Sequence, residues 1–392
     1  MNERATRLQG ETAFEVLARA QELEAAGRTI IHLEIGQPDF PTPEHIREAA
    51  VEALRAGKTG YGPTPGIPEL RQAIAEHAGK LRGVPLVAEQ IIVTPGAKPL
   101  LFYAINALAG KGDEVIYPDP GFPMYASIIA HSGALPVPLP LLEENDFRFD
   151  PEHFRQLVTD RTVLVIINSP QNPTGGVLTR QDLEIIAEEA RRRDFLVLSD
   201  EVYKHFIYDD CVFESILSLP GMAERTILVD GFSKSYSMTG WRLGFAALPR
   251  ALVETFDLYS VNIVSCTCTF NQYGALAALQ GTQDPVQEMV DEFRRRRDFL
   301  VEGLNRLPGW RCTRPRGAFY VFPCVRDAGI PSPELADRLL DEAGVATVPG
   351  NSFGLTGDGY LRLSYANSLE NLGVALRRTE EFFAKERPRS GP

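Results

Sequence analysis

The sequence predicts an α/β protein: a large, mostly parallel sheet covered by helices on both faces, joined to a smaller α+β unit. Three observations predict it. Through the middle of the chain, short β-branched or aliphatic runs alternate with amphipathic stretches, the pattern of buried parallel strands and their covering helices. Each run is followed by glycine, proline, serine or asparagine, where open α/β sheets carry their functional loops. After Gly281 the pattern changes to a long charged segment and then to Phe319-Tyr-Val-Phe and Tyr360-Leu-Arg-Leu-Ser-Tyr. With 392 residues the chain exceeds one usual domain. The expected division is a large unit over residues 46–282 and a small one built from 1–45 and 283–392.

Residues 12–27 read as a short helix, and Thr29–Glu34 as an extended run. That run enters Gly36-Gln-Pro-Asp-Phe-Pro-Thr-Pro, whose prolines forbid further helix. Ile46, Ala49, Ala50, Ala53 and Leu54 recur at helical spacing, and another helix starts at Ile67-Pro68, since proline suits the first turn. Strands are expected near Ile91–Thr94, Glu114–Tyr117, Val163–Asn168, Phe195–Ser199, Ile227–Asp230 and Leu243–Ala247. Helices are expected at 97–109, 179–193, 250–259 and 333–343. A long helix from Asp284 to Leu307 carries the quartet Arg294–Arg297. Glu288, Asp291, Glu292 and Asp298 surround the quartet at ion-pair spacings, so it reads as a solvated face.

Charge narrows the partners. Forty basic against 52 acidic residues give a net −12, which opposes binding to nucleic acid or an anionic membrane but permits a local basic pocket. No apolar run reaches the roughly 20 residues that span a bilayer, and the start lacks a charged leader before an apolar core, so a cytoplasmic setting is expected. Five cysteines, odd in number and without zinc-site spacing, read as reduced packing residues.

The chemistry concentrates in three strand-end loops. Ser233-Lys234-Ser235 follows the strand ending at Asp230, and Arg242 comes eight residues after the lysine. Burial and a neighbouring cation depress an amine's pKa and make it a nucleophile toward carbonyls. Asn172 lies in Ser169-Pro-Gln-Asn-Pro-Thr-Gly-Gly, and Asp200 with Tyr203 in Ser199-Asp-Glu-Val-Tyr. A carboxylate can keep a pyridine nitrogen protonated, while an amide and a phenol can bind the ring's phenolate oxygen. Gly96-Ala97-Lys98 opens a helix, so its backbone N–H groups make an anion site.

These motifs, with Gly240-Trp-Arg-Leu-Gly and Gly317-Ala-Phe-Tyr in the same order, resemble the class I/II aminotransferases of the fold-type I pyridoxal-phosphate enzymes. The similarity is greatest to their aspartate-aminotransferase-like bacterial and archaeal branch, and it covers nearly the whole chain, from Gly36 to Ala366. The resemblance implies a seven-stranded type of sheet, pyridoxal 5′-phosphate as cofactor, and ping-pong exchange of an amino group between an L-amino acid and a 2-oxo acid. It makes Lys234 the Schiff-base and proton-transfer residue and Asp200 the partner of the pyridinium nitrogen. Asn172 and Tyr203 would bind the phenolic oxygen, and Phe122 would stack on the ring. Ala97, Lys98, Ser233 and Arg242 would serve the phosphate, joined by Tyr61 from a second subunit of a homodimer. Many members carry a hydroxyl three residues before the lysine, where this chain has Gly231, so the roles of Ser233 and Ser235 stay open. Arg362 would grip the substrate α-carboxylate, with Gly36 and Asn172 nearby.

Lys98, matched to the branch's distal-carboxylate lysine, favours aspartate or glutamate as donor. The segment Val261–Phe270, expected at the side-chain end of the pocket, supplies no arginine, so aromatic or neutral donors stay open. A lyase, racemase or decarboxylase could use the same lysine. A non-catalytic pyridoxal-phosphate regulator would need a helix-turn-helix module, for which the stretch before Gly36 leaves no room.

Overall fold

The computed structural model describes residues 4–386. In chain order its elements begin with α1 (Thr12–Ala25), β1 (Ile31–His32), α2 (Glu44–Arg55), α3 (Pro68–Arg82), β2 (Ile91–Thr94), α4 (Lys98–Leu108) and β3 (Glu114–Asp119). There follow α5 (Met124–Ser132), β4 (Leu135–Leu142), β5 (Arg148–Phe149), α6 (Pro151–Leu157), β6 (Thr162–Asn168), α7 (Arg180–Arg193) and β7 (Leu196–Asp200). Next are β8 (Thr226–Gly231), β9 (Gly244–Ala247), α8 (Arg250–Ile263), α9 (Thr269–Gln280) and α10 (Asp284–Leu304). The chain closes with β10 (Tyr320–Val321), α11 (Ser332–Arg338), β11 (Val345–Ala346), β12 (Val348–Pro349), β13 (Leu361–Ser364) and α12 (Leu369–Glu386).

The main sheet runs β2-β9-β8-β7-β6-β3-β4-β5. Strands β4, β3, β6, β7 and β8 are parallel, and β9 runs antiparallel to both β8 and β2. Aliphatic residues on both faces explain the unbroken apolar runs: Leu164 and Ile166 pack toward one side, Val165 and Ile167 toward the other. The expected strands are present, but the sheet has eight rather than seven, because the two-residue β5 pairs antiparallel with β4.

Strand β4 was not among the expected strands, and it carries prolines at 136, 138 and 140. They fall on one side of the strand. The Leu135 N–H donates toward β3, to the Asp113 carbonyl, so alternation turns the three proline nitrogens away from β3, where no donor is needed.

Two small sheets complete the fold, β1-β11 and β10-β13-β12. They pack with α10, α11 and α12 around Phe293, Phe319, Leu335, Leu363 and Leu372. The basic quartet departs from its expected role. Arg294 is half-buried and Arg295 exposed, but Arg296 and Arg297 are buried. Arg296 reaches Asp39 and Glu292, and Arg297 binds Asp209 and Asp298 while lying 4.7 Å over the Tyr208 ring. Glu292 is the helical partner that the spacing indicates, but Asp39 and Asp209 lie outside the helix and Asp298 is next in sequence, so ion-pair spacing within the helix could not reveal these three. All five cysteines are unpaired; Cys312 and Cys324 are buried, whereas Cys268 is exposed rather than packed. No helix among the described residues is long and apolar enough to cross a membrane.

Candidate active site

Strands β6, β7 and β8 are adjacent and parallel, with Asn168 opposite Asp200 and Asp200 opposite Val229. Their carboxyl ends therefore open side by side, and the loops beyond carry Asn172, Asp200–Tyr203 and Ser233–Lys234 to one edge. There they line a cavity of about 540 Å³ together with Gly36, Ala97, Lys98, Phe122, Arg242 and Arg362. The Asn168 amide donates to the Asp200 carbonyl (3.0 Å) and accepts from the Asn172 N–H (3.0 Å), which ties two of the loops together.

Lys234 is surrounded by protein except where it lines the cavity. Its ammonium donates to the Gly36 carbonyl, and the Tyr203 and Phe319 rings each lie 5.8 Å away. Burial, then the positive charges of Arg362 and Arg242, push its pKa down to about 8. Asp200 is buried, and burial pushes its carboxyl up to about 6 despite a hydrogen bond from the Tyr125 hydroxyl at 2.6 Å.

Arg362 extends from β13 between the rings of Tyr320 (4.7 Å) and Phe353 (4.9 Å). It donates to Asn172 Oδ1 (3.2 Å) and to the Glu34 carbonyl, and its buried Nε has no partner among the described residues. Gly36 is fixed by crowding: a Cβ there would lie 1.9 Å from the Tyr320 hydroxyl. Gly96 has φ +86°, and a Cβ on it would sit 2.3 Å from the Arg242 guanidinium. Arg242 thus lies against the turn leading into α4, whose first N–H groups have no side-chain cap.

The arrangement couples an amine of depressed basicity, a buried carboxylate and two guanidinium groups around one cavity, which suits condensation with an aldehyde and binding of two anions. A model of the family "Aminotransferase class I and II" matches residues 28–378. The chain belongs to that family. The aspartate aminotransferase of Pyrococcus abyssi is 44% identical over 369 residues, covering 93% of this chain and 95% of the relative. Aromatic-amino-acid aminotransferase 2 of Thermococcus litoralis is 44% identical over 361 residues, covering 91% and 92%. The solved structure of aspartate aminotransferase from Thermus thermophilus with maleate is similar at a TM-score of 0.93 and 39% identity, covering 97% of this chain and 99% of that one. The protein is therefore a fold-type I, pyridoxal-phosphate-dependent aminotransferase.

Of the site residues expected in this aminotransferase, the cavity gathers Lys234, Asp200, Tyr203, Asn172, Phe122, Ala97, Lys98, Ser233, Arg242, Arg362 and Gly36. Tyr61 is not among them: it is 95% exposed on the outside of the chain. Ser235 turns away from the cavity into a neighbouring groove with Phe40, His45 and Tyr236, which separates it from Ser233. None of residues 261–270 lines the cavity, contrary to expectation; Val261 and Ile263 stand exposed at the end of α8. Sequence reasoning missed Tyr125, Tyr320 and Glu11. Tyr125 holds Asp200, the Tyr320 hydroxyl lies 2.8 Å from that of Tyr203, and Glu11 pairs with Lys98. Tyr320 ends the Gly317-Ala-Phe-Tyr motif and Tyr125 comes three residues after Phe122, signals that could have found them. Glu11 has none.

Proposed function

We propose that this aminotransferase carries an amino group from an L-amino acid to a 2-oxo acid in a ping-pong cycle, with Lys234 moving the proton. The observation that carries this reading is the partly buried Lys234 amine of lowered pKa sharing one cavity with Asp200, Arg242 and Arg362.

The residues present fit the cofactor. The glycine turn at Gly96, filled by the Arg242 guanidinium, and the uncapped start of α4 suit a phosphate. Asp200 suits a ring nitrogen, and Phe122, packed edge-on to Tyr125 at 5.6 Å, offers a face to the ring. Asn172 and Tyr203 supply hydrogen-bonding groups for a phenolate oxygen. When bound, pyridoxal phosphate supplies an aldehyde that condenses with amines and a protonated ring that accepts the electron pair released at the substrate α-carbon.

The chain's own residues do the rest. Arg362, with Nε unpartnered, binds the α-carboxylate and orients the α-carbon. Asp200 holds the proton on the ring nitrogen, itself positioned by Tyr125. The Lys234 amine, whose basicity burial and the two arginines lower to a pKa of about 8, removes the proton from the α-carbon and later returns one. Gly36 and its loop lie over Lys234 and exclude water.

The same reading divides the chain at residues 46 and 282 into the cofactor-holding unit and the small unit with Arg362. It takes the molecule as a homodimer, supported by the exposure of the large apolar side chains Tyr61, Leu258, Val261 and Ile263, and as a cytoplasmic protein, supported by five unpaired thiols. Mixing the holoenzyme with an amino acid alone tests the reaction. A transaminase changes its visible spectrum once and releases one 2-oxo acid per site, and it turns over only with an acceptor. Continuous turnover without acceptor marks a lyase and ends this reading.

A further inference from the structure

Four cations line the cavity: Lys98, Lys234, Arg242 and Arg362. Among the described residues only Lys98 has a carboxylate partner, Glu11, at the entry to α1. The other three have none, as groups awaiting the aldehyde, the phosphate and the α-carboxylate should. The exception lies on the wall left for the substrate side chain.

The surroundings of the pair are otherwise apolar or aromatic. Phe14 and Phe122 place their rings 5.9 and 5.6 Å from the Lys98 ammonium, and Ala13, Ile35 and Leu101 complete this part of the lining. Glu11 also borders the small space beside Arg362 and Phe353, so it lines both the main cavity with Lys98 and the recess with Arg362. Its side chain is only 14% exposed, against 46% for Lys98.

A ping-pong enzyme admits donor and acceptor in turn to one cavity. If one is dicarboxylic and the other neutral, a lone lysine in an apolar wall serves the first and stands unpaired against the second. We propose that Glu11 is a stand-in carboxylate and the specificity-determining residue. It neutralises Lys98 while a neutral or aromatic side chain occupies the wall, and yields Lys98 to the distal carboxylate of a dicarboxylic substrate. The segment carrying it precedes α1 in extended backbone and is tied to α5, the Gln9 N–H donating to the Ser127 hydroxyl (2.9 Å) and the Arg7 guanidinium to the Ala130 carbonyl (3.5 Å), but the Glu11 side chain caps no helix N–H, so a turn of that side chain alone releases Lys98.

This inference rests on the aminotransferase reading, and one experiment separates the two. The spectral half-reaction of the holoenzyme is measured with aspartate and with phenylalanine for the wild type, Glu11→Gln and Lys98→Met. Binding of maleate, a dicarboxylate that cannot react, is measured by calorimetry on the same proteins. Glu11→Gln removes the competitor and leaves Lys98 unpaired against phenylalanine, so the aspartate-to-phenylalanine ratio of kcat/KM rises about tenfold and maleate binds tighter. Lys98→Met lowers that ratio and weakens maleate. A ratio or a maleate affinity that Glu11→Gln leaves unchanged overturns the role of Glu11, while a wild type with no half-reaction toward any amino acid overturns the reading beneath it.

Discussion

Two groups of charges sit on the same edge of the main sheet and are built on opposite principles. Behind the cavity, Arg82 of α3 reaches Glu201 (2.7 Å) and Asp230 (2.8 Å), and Lys204 reaches Asp230 at 2.7 Å. Ser199 and Ser215 complete the shell of Glu201. All four charges are buried, and each is matched. Burial would raise the Asp230 carboxyl, but Lys204 and Arg82 outweigh it and hold the carboxyl below its ordinary value. His77 and His205 beside them are kept neutral, pushed down to about 4 and 3 mainly by burial. In the cavity, a few residues along the same loops, Lys234, Arg242 and Arg362 face a space with no carboxylate among the described residues paired to any of them. Adjacent positions diverge: Asp200 lines the cavity while Glu201 is sealed with Arg82. Matched charge pins β7, β8 and α3 together; unmatched charge is left for anions the chain does not carry.

The sharpest way to break this comparison is to delete one member of each group. Lys234→Ala should lower kcat by about 10⁴-fold or more and abolish the visible absorbance of the cofactor, because it removes both nucleophile and proton carrier. The melting temperature of the cofactor-free protein should not fall, since no ion pair is lost. Arg82→Leu should do the reverse, destabilising the fold by roughly 3–5 kcal/mol in urea unfolding, because Glu201 and Asp230 stay buried without their guanidinium. A Lys234→Ala variant that melts early, or an Arg82→Leu variant as stable as wild type, would erase the distinction.

A smaller effect sharpens it. Burial first, then the positive charges of Arg362 and Arg242, lowers the Lys234 amine to about 8. Reaction of cofactor-free protein with an amine-acylating reagent, followed at this residue by mass spectrometry, should rise through about pH 8 and level off above it. Lys204, whose pKa burial also lowers, should stay unreactive because Asp230 and its surroundings exclude the reagent. Equal labelling of both lysines would mean that the matched cluster is open.

Much of the cavity was legible because its residues follow strand ends, where a local string such as Ser233-Lys234 or Ser199-Asp200 announces both the turn and the side chain. Arg362 was legible only through resemblance. What escaped depends on contacts between distant segments. The Glu11–Lys98 pair spans 87 positions and the Arg82–Asp230 pair 148, and no period or motif records either. Strand β4 escaped for a different reason. Proline is read as a breaker from sequence, yet three at alternate positions cost nothing on a side without hydrogen-bond partners. In the Arg294–Arg297 quartet, helix geometry gives each arginine a direction, but only the packed partners decide which are buried.

A third arrangement lies between the two extremes and carries the smallest expected effect. His32 of β1 places Nδ1 2.7 Å from Glu34 and Nε2 3.2 Å from Glu24 of α1, so protonated it bridges the first helix to the strand leading into Gly36. The hydrogen bond to Glu34 is the main cause lifting its pKa from 6.5 to about 9; burial opposes the lift, and Glu24 adds to it. A folded-state pKa above the unfolded value means that protons bind the native state more tightly. The stabilisation is therefore complete below 6.5 and is lost as pH rises through about 9. His32→Gln should accordingly lower the melting temperature by a few degrees at pH 6 and by little or nothing above pH 9, read by differential scanning calorimetry across that range. The gap should be small because the imidazole is partly exposed and water already screens the pair. Its sign is the informative part. A gap that widens toward alkaline pH would mean that His32 is neutral in the fold, and the link between α1 and the Gly36 loop would then be a neutral hydrogen bond, unlike either the sealed cluster or the open cavity.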